Sequence, residues 1–120
     1  MPVAIITGGG SLMSKGIAET LVDRGWKVEL FDLKIEDAED VASHVGGATV
    51  AGAHHLDVTD YRGTVKLAKK VAGKHGGIDA LVTVAGGSVG LGLRKSAFVD
   101  TDQAYWRKMI DTNYKGTLNS

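Results

Sequence analysis

Short apolar runs alternate along the chain with longer segments in which apolar side chains recur every three or four residues. The first run, Val3–Thr7, is continuous, as a parallel strand buried on both faces requires. Ile17, Ala18 and Leu21 then follow at helical spacing, and Gly25 stands where such a helix would end. The pattern predicts a buried strand followed by an amphipathic helix.

The same alternation is repeated three more times. It predicts strands over residues 28–31, 49–56 and 81–85, and helices over residues 36–45, 61–75 and from about 101 onward. Strands that alternate with helices form a parallel sheet, and their crossovers are right-handed. Residues 1–120 are therefore predicted to form a Rossmann-like α/β domain, a doubly wound sheet with strand order 3-2-1-4 in three αβα layers. We expect this domain to be incomplete at its C-terminal end, because a whole fold of this kind has more strands.

Charge and composition narrow the possible partners. The chain carries 14 basic and 14 acidic residues, so its formal net charge of zero favours neither nucleic acid nor an anionic membrane as a partner. It has no cysteine, which excludes disulfides and thiolate metal sites and fits a cytoplasmic protein. No apolar run is long enough to span a membrane. No metal site is predicted, because His54 and His55 are neighbours on a strand and point to opposite faces.

A glycine-rich loop joins the first predicted strand to the first helix. Gly8 and Gly10 fit a phosphate-binding turn, in which free helical N–H groups attract an anion, but the third expected glycine is replaced by Met13. Asp32 ends the second strand at about the position of a carboxylate that binds a ribose 2′-hydroxyl. Alone, the loop could be a structural turn and Asp32 a solvated turn residue. Together they indicate dinucleotide binding.

An ordered set of segments resembles the short-chain dehydrogenases/reductases. The set consists of Thr7-Gly8-Gly9-Gly10 with Gly16-Ile17-Ala18, Asp32, Leu56-Asp57-Val58, residues 81–86, and Phe98, Trp106 and Asn113-Tyr114-Lys115-Gly116. The resemblance implies an NAD-dependent oxidoreductase that transfers hydride between nicotinamide and a small alcohol or ketone substrate. It also implies a homo-oligomer, a dimer or tetramer. The glycine-rich loop from residue 87 to 93 could be an ordinary strand-to-helix loop, but the resemblance implies that it forms a wall of the substrate pocket.

The resemblance further assigns a part of the dinucleotide to each matching residue. Gly8 and the backbone of Ser11, Leu12 and Met13 would hold the pyrophosphate, Asp32 the adenosine ribose, Asp57 and the Val58 backbone the adenine, and Ala85 and Gly86 the nicotinamide ribose. Asp57 could instead cap a helix or form a turn, because Thr59 and Asp60 follow it. NAD is favoured over NADP because the Asp32 carboxylate would repel a 2′-phosphate, although Lys15 and Lys34 lie nearby.

Asn113 is the candidate catalytic residue. Trp106, Met109, Ile110, Asn113 and Thr117 fall on one face of the last predicted helix, which we expect to face the core. An amide buried there without partners would cost ~1–3 kcal/mol, so Asn113 would be either a structural hydrogen-bonding residue or, as the resemblance implies, the holder of a water in a proton relay.

Departures from the family pattern support an alternative function. Leu12 and Ser14 stand where the family has glycines, and Val84 stands where most members have asparagine. The family's Tyr-x-x-x-Lys pair does not occur in the 120 residues. A non-catalytic dinucleotide-binding module or partner subunit is therefore the second hypothesis, beside the N-terminal half of a longer enzyme. The acidic face formed by Glu36, Asp37, Glu39 and Asp40 is predicted to be solvated and without function.

Overall fold

The structure is a computed structural model that describes residues 1–86 and 102–120. Helices alternate with four parallel strands through the described part of the chain. In chain order the elements are β1 Val3–Thr7, α1 Leu12–Asp23, β2 Lys27–Asp32, α2 Ile35–Val45, β3 Ala51–His55, α3 Tyr61–His75, β4 Ala80–Thr83, α4 Gln103–Ile110, a π-helical turn Asp111–Lys115 and α5 Gly116–Asn119.

The strands lie in the order β3-β2-β1-β4, and every pair is parallel. This confirms the predicted α/β fold with strand order 3-2-1-4. The five residues of β1 are all buried, because β1 is central and helices cover both faces of the sheet. Ala4 and Ile6 pack with residues of α1 and α2, whereas Val3 and Ile5 pack with Val71 of α3.

Two predicted strands are shorter in the structure. The third was predicted over residues 49–56 but covers Ala51–His55, because a turn in which Val50 and Ala51 donate to the Gly47 carbonyl precedes it. The fourth was predicted over residues 81–85 but covers Ala80–Thr83. Its only partner among the described strands is β1, and the ladder ends where β1 turns away at Gly8.

The last predicted helix is interrupted. The side chain of Asp102 caps α4 by accepting from the Tyr105 N–H at 2.9 Å, and the π-helical turn then separates α4 from α5. A π-helical turn contains an extra residue and so rotates the following side chains away from the face that a regular helix would give them. The substrate-wall prediction for residues 87–93, like Phe98, falls outside the described residues. Of the helices in residues 1–86 and 102–120, none has the length and apolar character needed to cross a bilayer.

Candidate functional site

A cavity of about 480 Å³ opens at the carboxyl ends of the strands. In chain order, β2 and β3 are added on one side of β1. The chain then crosses over, and β4 is added on the other side of β1, so the strand order reverses beside β1. Ligands of open α/β sheets bind at such a reversal. The structure brings together in the cavity lining seven of the ten predicted site residues, namely Gly8, Ser11, Asp32, Asp57, Val58, Ala85 and Gly86.

Gly8 begins the loop after β1 in a conformation that favours glycine. Its φ is 69°, and a Cβ placed on it would lie 2.6 Å from the Ala85 backbone nitrogen. The neighbouring Gly9 N–H donates to the Phe31 carbonyl at 3.0 Å, which ties the loop to the end of β2. The loop after β1 is therefore packed backbone against backbone on the end of β2 and on the loop after β4.

Two serines fix the second half of the loop. Ser14 is fully buried, and its hydroxyl donates to the Gly8 carbonyl at 2.7 Å. The Ser11 hydroxyl caps α1 by accepting from the Ser14 N–H at 3.1 Å. Ser14 thus occupies the close helix–strand contact at which the family has a glycine, and its hydroxyl adds a hydrogen bond that glycine could not make.

Leu12 and Met13 lie at the start of α1, and their side chains do not line the cavity. The Leu12 side chain is 88% exposed, so it does not crowd the loop interior. Among the hydrogen bonds of the described residues, the N–H groups of Ser11, Ser14 and Lys15 have acceptors, while those of Leu12 and Met13 have none. Unpaired N–H groups at a helix start are the donors that hold a phosphate group.

Asp32 is held in place by two backbone N–H groups. Its Oδ2 accepts from Gly10 and its Oδ1 from Lys34, both at 2.8 Å. The carboxylate thereby connects the end of β2 to the glycine-rich loop. This position at the cavity wall suits a group that accepts hydrogen bonds from a ligand hydroxyl, but part of its capacity is already used within the chain.

Asp57 forms a turn and does not cap a helix. Its Oδ1 accepts from the N–H of Thr59 at 2.9 Å and from the Thr59 hydroxyl at 2.6 Å. The cap of α3 is Asp60, which accepts from the Gly63 N–H at 3.0 Å. The helix-cap alternative for Asp57 is therefore wrong, and its second carboxylate oxygen remains available at the cavity wall.

Asn113 lies beside the cavity, in the π-helical turn. Its Nδ2 donates to the Met109 carbonyl at 3.0 Å, and its Oδ1 lies so close to Gly86 that a Cβ there would be 2.5 Å away. The prediction that Ile110, Asn113 and Thr117 face the core is wrong, because all three are exposed. Among the described residues of this segment the buried position is Gly116, which packs against Val58.

Sequence reasoning missed several residues of the cavity wall. Those that follow strand ends could have been found from their position, whereas those of α4 and the π-helical turn carry no local signal. The missed residues are Leu33, Asp37, Leu56, Thr59, Val84, Lys108, Asp111 and Thr112, whereas the sequence already places Gly10 and Lys34 near the cofactor.

A buried carboxylate on β2 was also missed. Glu29 is 1% exposed and accepts hydrogen bonds from His54 at 2.5 Å, His75 at 2.7 Å and Lys74 at 3.0 Å. Burial raises the pKa of Glu29, but the three donors outweigh burial and lower it to about 2. Gly52 on β3 leaves room for the carboxylate, since a Cβ there would lie 2.0 Å from Oε2. The cluster joins β2, β3 and α3 beneath the cavity-lining loops.

Comparisons with a family profile and with individual proteins agree on one family. The profile of the short chain dehydrogenase family matches residues 2–120. The chain is 37% identical over 118 residues to an uncharacterized oxidoreductase of Staphylococcus saprophyticus, covering 97% of this chain and 48% of that protein. It is 31% identical over 116 residues to an NAD-dependent glycerol dehydrogenase of Listeria innocua, covering 97% of this chain and 43% of that protein.

Solved structures agree with the sequence comparison. A short-chain type dehydrogenase/reductase from Mycobacterium ulcerans superimposes with a TM-score of 0.84 at 27% identity, covering 98% of this chain and 43% of that one. The chain thus spans a little under half the length of each of these relatives. The glycine-rich loop, the strand order and the match over nearly every residue lead to one conclusion: the chain belongs to the short-chain dehydrogenase family.

Proposed function

We propose that the protein containing this chain is an NAD-dependent oxidoreductase that transfers hydride between nicotinamide and an alcohol or ketone group of a small substrate. The observation that carries the proposal is the cavity at the strand ends, where the Gly8 loop and the carboxylates of Asp32 and Asp57 meet. The unpaired N–H groups of Leu12 and Met13 directly follow Ser11 of the cavity wall. The NAD-dependent relative that acts on glycerol supports the choice of cofactor and of a hydroxyl-bearing substrate.

The residues present fit a dinucleotide along the length of the cavity. The N–H groups of Leu12 and Met13 would bind the pyrophosphate. The close backbone contact of Gly8 with Ala85, which a side chain on Gly8 would prevent, holds together two loops of the cavity wall. Asp32 would accept from the adenosine ribose, and the second oxygen of Asp57 from the adenine amino group. When bound, NAD supplies the hydride acceptor, and the residues of this chain orient it.

Catalysis requires a proton donor and acceptor that we do not assign within these 120 residues. Asn113 is proposed to hold a water beside Gly86, on the nicotinamide side of the cavity.

A non-catalytic dinucleotide-binding module is the second candidate, because the chain contains no Tyr-x-x-x-Lys. Titration of the full-length protein with NAD, followed by dehydrogenase assays on small secondary alcohols, separates the candidates. Binding with turnover supports the enzyme, binding without turnover supports the module, and no binding contradicts both.

Asp32→Ala is expected to weaken NAD binding by about tenfold, or ~1.4 kcal/mol. The substitution removes an acceptor for the ribose and releases the Gly10 N–H that positions the loop. The ratio of the Kd for NADP to the Kd for NAD should also fall, because the substitution removes a negative charge that would repel the 2′-phosphate. The measurement is the Kd of both dinucleotides by fluorescence titration, with Asp40→Ala on the exposed face of α2 as the control. Equal NAD affinity in the Asp32→Ala and Asp40→Ala variants would show that Asp32 does not bind the cofactor.

Leu12→Gly is expected to leave the Kd for NAD within about twofold of the natural protein. The Leu12 side chain is exposed and lies outside the cavity lining, so a smaller residue opens no space for the cofactor. Leu12→Ala separates the loss of the side chain from the added backbone freedom of glycine. A Kd several times lower in both variants would show that Leu12 obstructs the cofactor.

A further inference from the structure

Asp37 is the second carboxylate at the Asp32 end of the cavity. It lies in the first turn of α2 and lines the cavity, whereas its neighbour Glu36 does not. Gly10 packs against it so closely that a Cβ on Gly10 would lie 2.4 Å from the Asp37 Cβ. Gly10 also donates to Asp32 through its N–H. Asp32 and Asp37 therefore flank one loop residue from two sides.

The two carboxylates differ in what they already bind. Both oxygens of Asp32 accept backbone hydrogen bonds, from Gly10 and from Lys34. In the described part of the chain, the Asp37 side chain makes no hydrogen bond and no ion pair. Lys34 also lines the cavity, and in the described part of the chain its ammonium forms no ion pair with either carboxylate.

We propose that Asp37 is a specificity-determining residue that excludes a phosphate from the ribose end of the cavity, while Asp32 mainly holds the loop and accepts from the ribose. This inference rests on the proposed function, because it concerns the choice between NAD and NADP at that site. A 2′-phosphate bound at the Asp32 end of the cavity would approach a carboxylate at Asp37 that no cation pairs with among the described residues, and the resulting repulsion would be weakened by salt. The ribose hydroxyls of NAD carry no charge and are unaffected.

The test compares Asp37→Asn with Glu36→Gln in the full-length protein. Both substitutions remove one negative charge from the first turn of α2 and leave side-chain size unchanged, but only Asp37 lines the cavity. Asp37→Asn is expected to tighten NADP binding about fivefold and to leave the Kd for NAD within about twofold. Glu36→Gln should change neither value. Asp37→Ser, which keeps a small polar residue in the helix start, repeats the measurement with a different side chain.

The dependence of dinucleotide binding on ionic strength is a second measurement, and a purely structural role of Asp37 would not affect it. In the natural protein the ratio of the Kd for NADP to the Kd for NAD should fall as salt is raised, and in Asp37→Asn this dependence should be weaker. An unchanged NADP affinity in both Asp37 variants, or an equal change for NAD and NADP, would overturn the inference while leaving the NAD site intact. Absence of NAD binding by the natural protein would instead contradict the proposed function itself.

Discussion

We expect Glu29→Ala to lower the free energy of unfolding by about 3 kcal/mol at pH 7. The substitution removes the acceptor that His54, His75 and Lys74 share, and two of these donors are themselves largely buried. Removing one partner from a buried ionic cluster costs ~3–5 kcal/mol, and we take the lower end because the Lys74 side chain is more than half exposed. The lowering of the Glu29 pKa from 4.5 to about 2 gives a similar free energy, since each pKa unit corresponds to ~1.4 kcal/mol.

The contribution of Glu29 depends on pH in a defined direction. Its pKa is lowered on folding from 4.5 to about 2, so its stabilisation is fully present above pH 4.5 and is lost as the pH falls toward 2. Urea unfolding at pH 7 and at pH 3 measures this loss. Glu29→Gln keeps the size of the side chain, and it should show a smaller decrease in stability between the two pH values than the natural protein.

Glu19 provides the matched control, because it also pairs with a histidine. Glu19 and His44 are about half exposed, whereas Glu29 is buried. An exposed pair contributes ~0–1 kcal/mol, so Glu19→Ala should have little effect on the urea midpoint. If the two alanine variants lose equal stability, the Glu29 cluster does not contribute as a buried network.

Gly8→Ala is the second substitution with a large expected effect. A non-glycine residue in the left-handed region costs ~1–2 kcal/mol, and the new Cβ would also collide with the backbone of Ala85. The loops after β1 and β4 would have to separate, which moves both walls of the cavity. We expect a loss of about 2 kcal/mol or more in unfolding free energy and a Kd for NAD raised by at least about tenfold.

Gly16→Ala is the control for this substitution. Gly16 lies inside α1, and no neighbouring atom lies within 4 Å of the position that an added methyl group would take. Alanine should therefore fit there and should stabilise the helix by up to ~1 kcal/mol. Thermal unfolding and NAD titration of both variants provide the measurements. Unchanged NAD affinity in Gly8→Ala would show that the loop does not contact the cofactor.

Much of the candidate site follows from where the predicted strands end. Asp32, Asp57 and Ala85 lie at or just after strand ends, and parallel strands bring their carboxyl ends to one edge of the sheet. Glu29 was missed although a carboxylate within an apolar strand is itself a sign of a buried pair, and its partners lie 25 to 46 positions away in the chain. No local pattern indicates which distant donors will meet it.

The sequence by itself determined the order of elements and the parallel sheet, because hydrophobic periodicity and glycine turns are properties of neighbouring residues. It also located the glycine-rich loop and Asp32. Only the tertiary structure decided that Asp37 joins Asp32 at the cavity, that the Leu12 side chain is exposed outside it, and that Asn113 is exposed. The physical reason is that these properties depend on how separate elements pack: Asp37 of α2 lies against Gly10 of the glycine-rich loop, and Gly116, three residues after Asn113, lies against Val58.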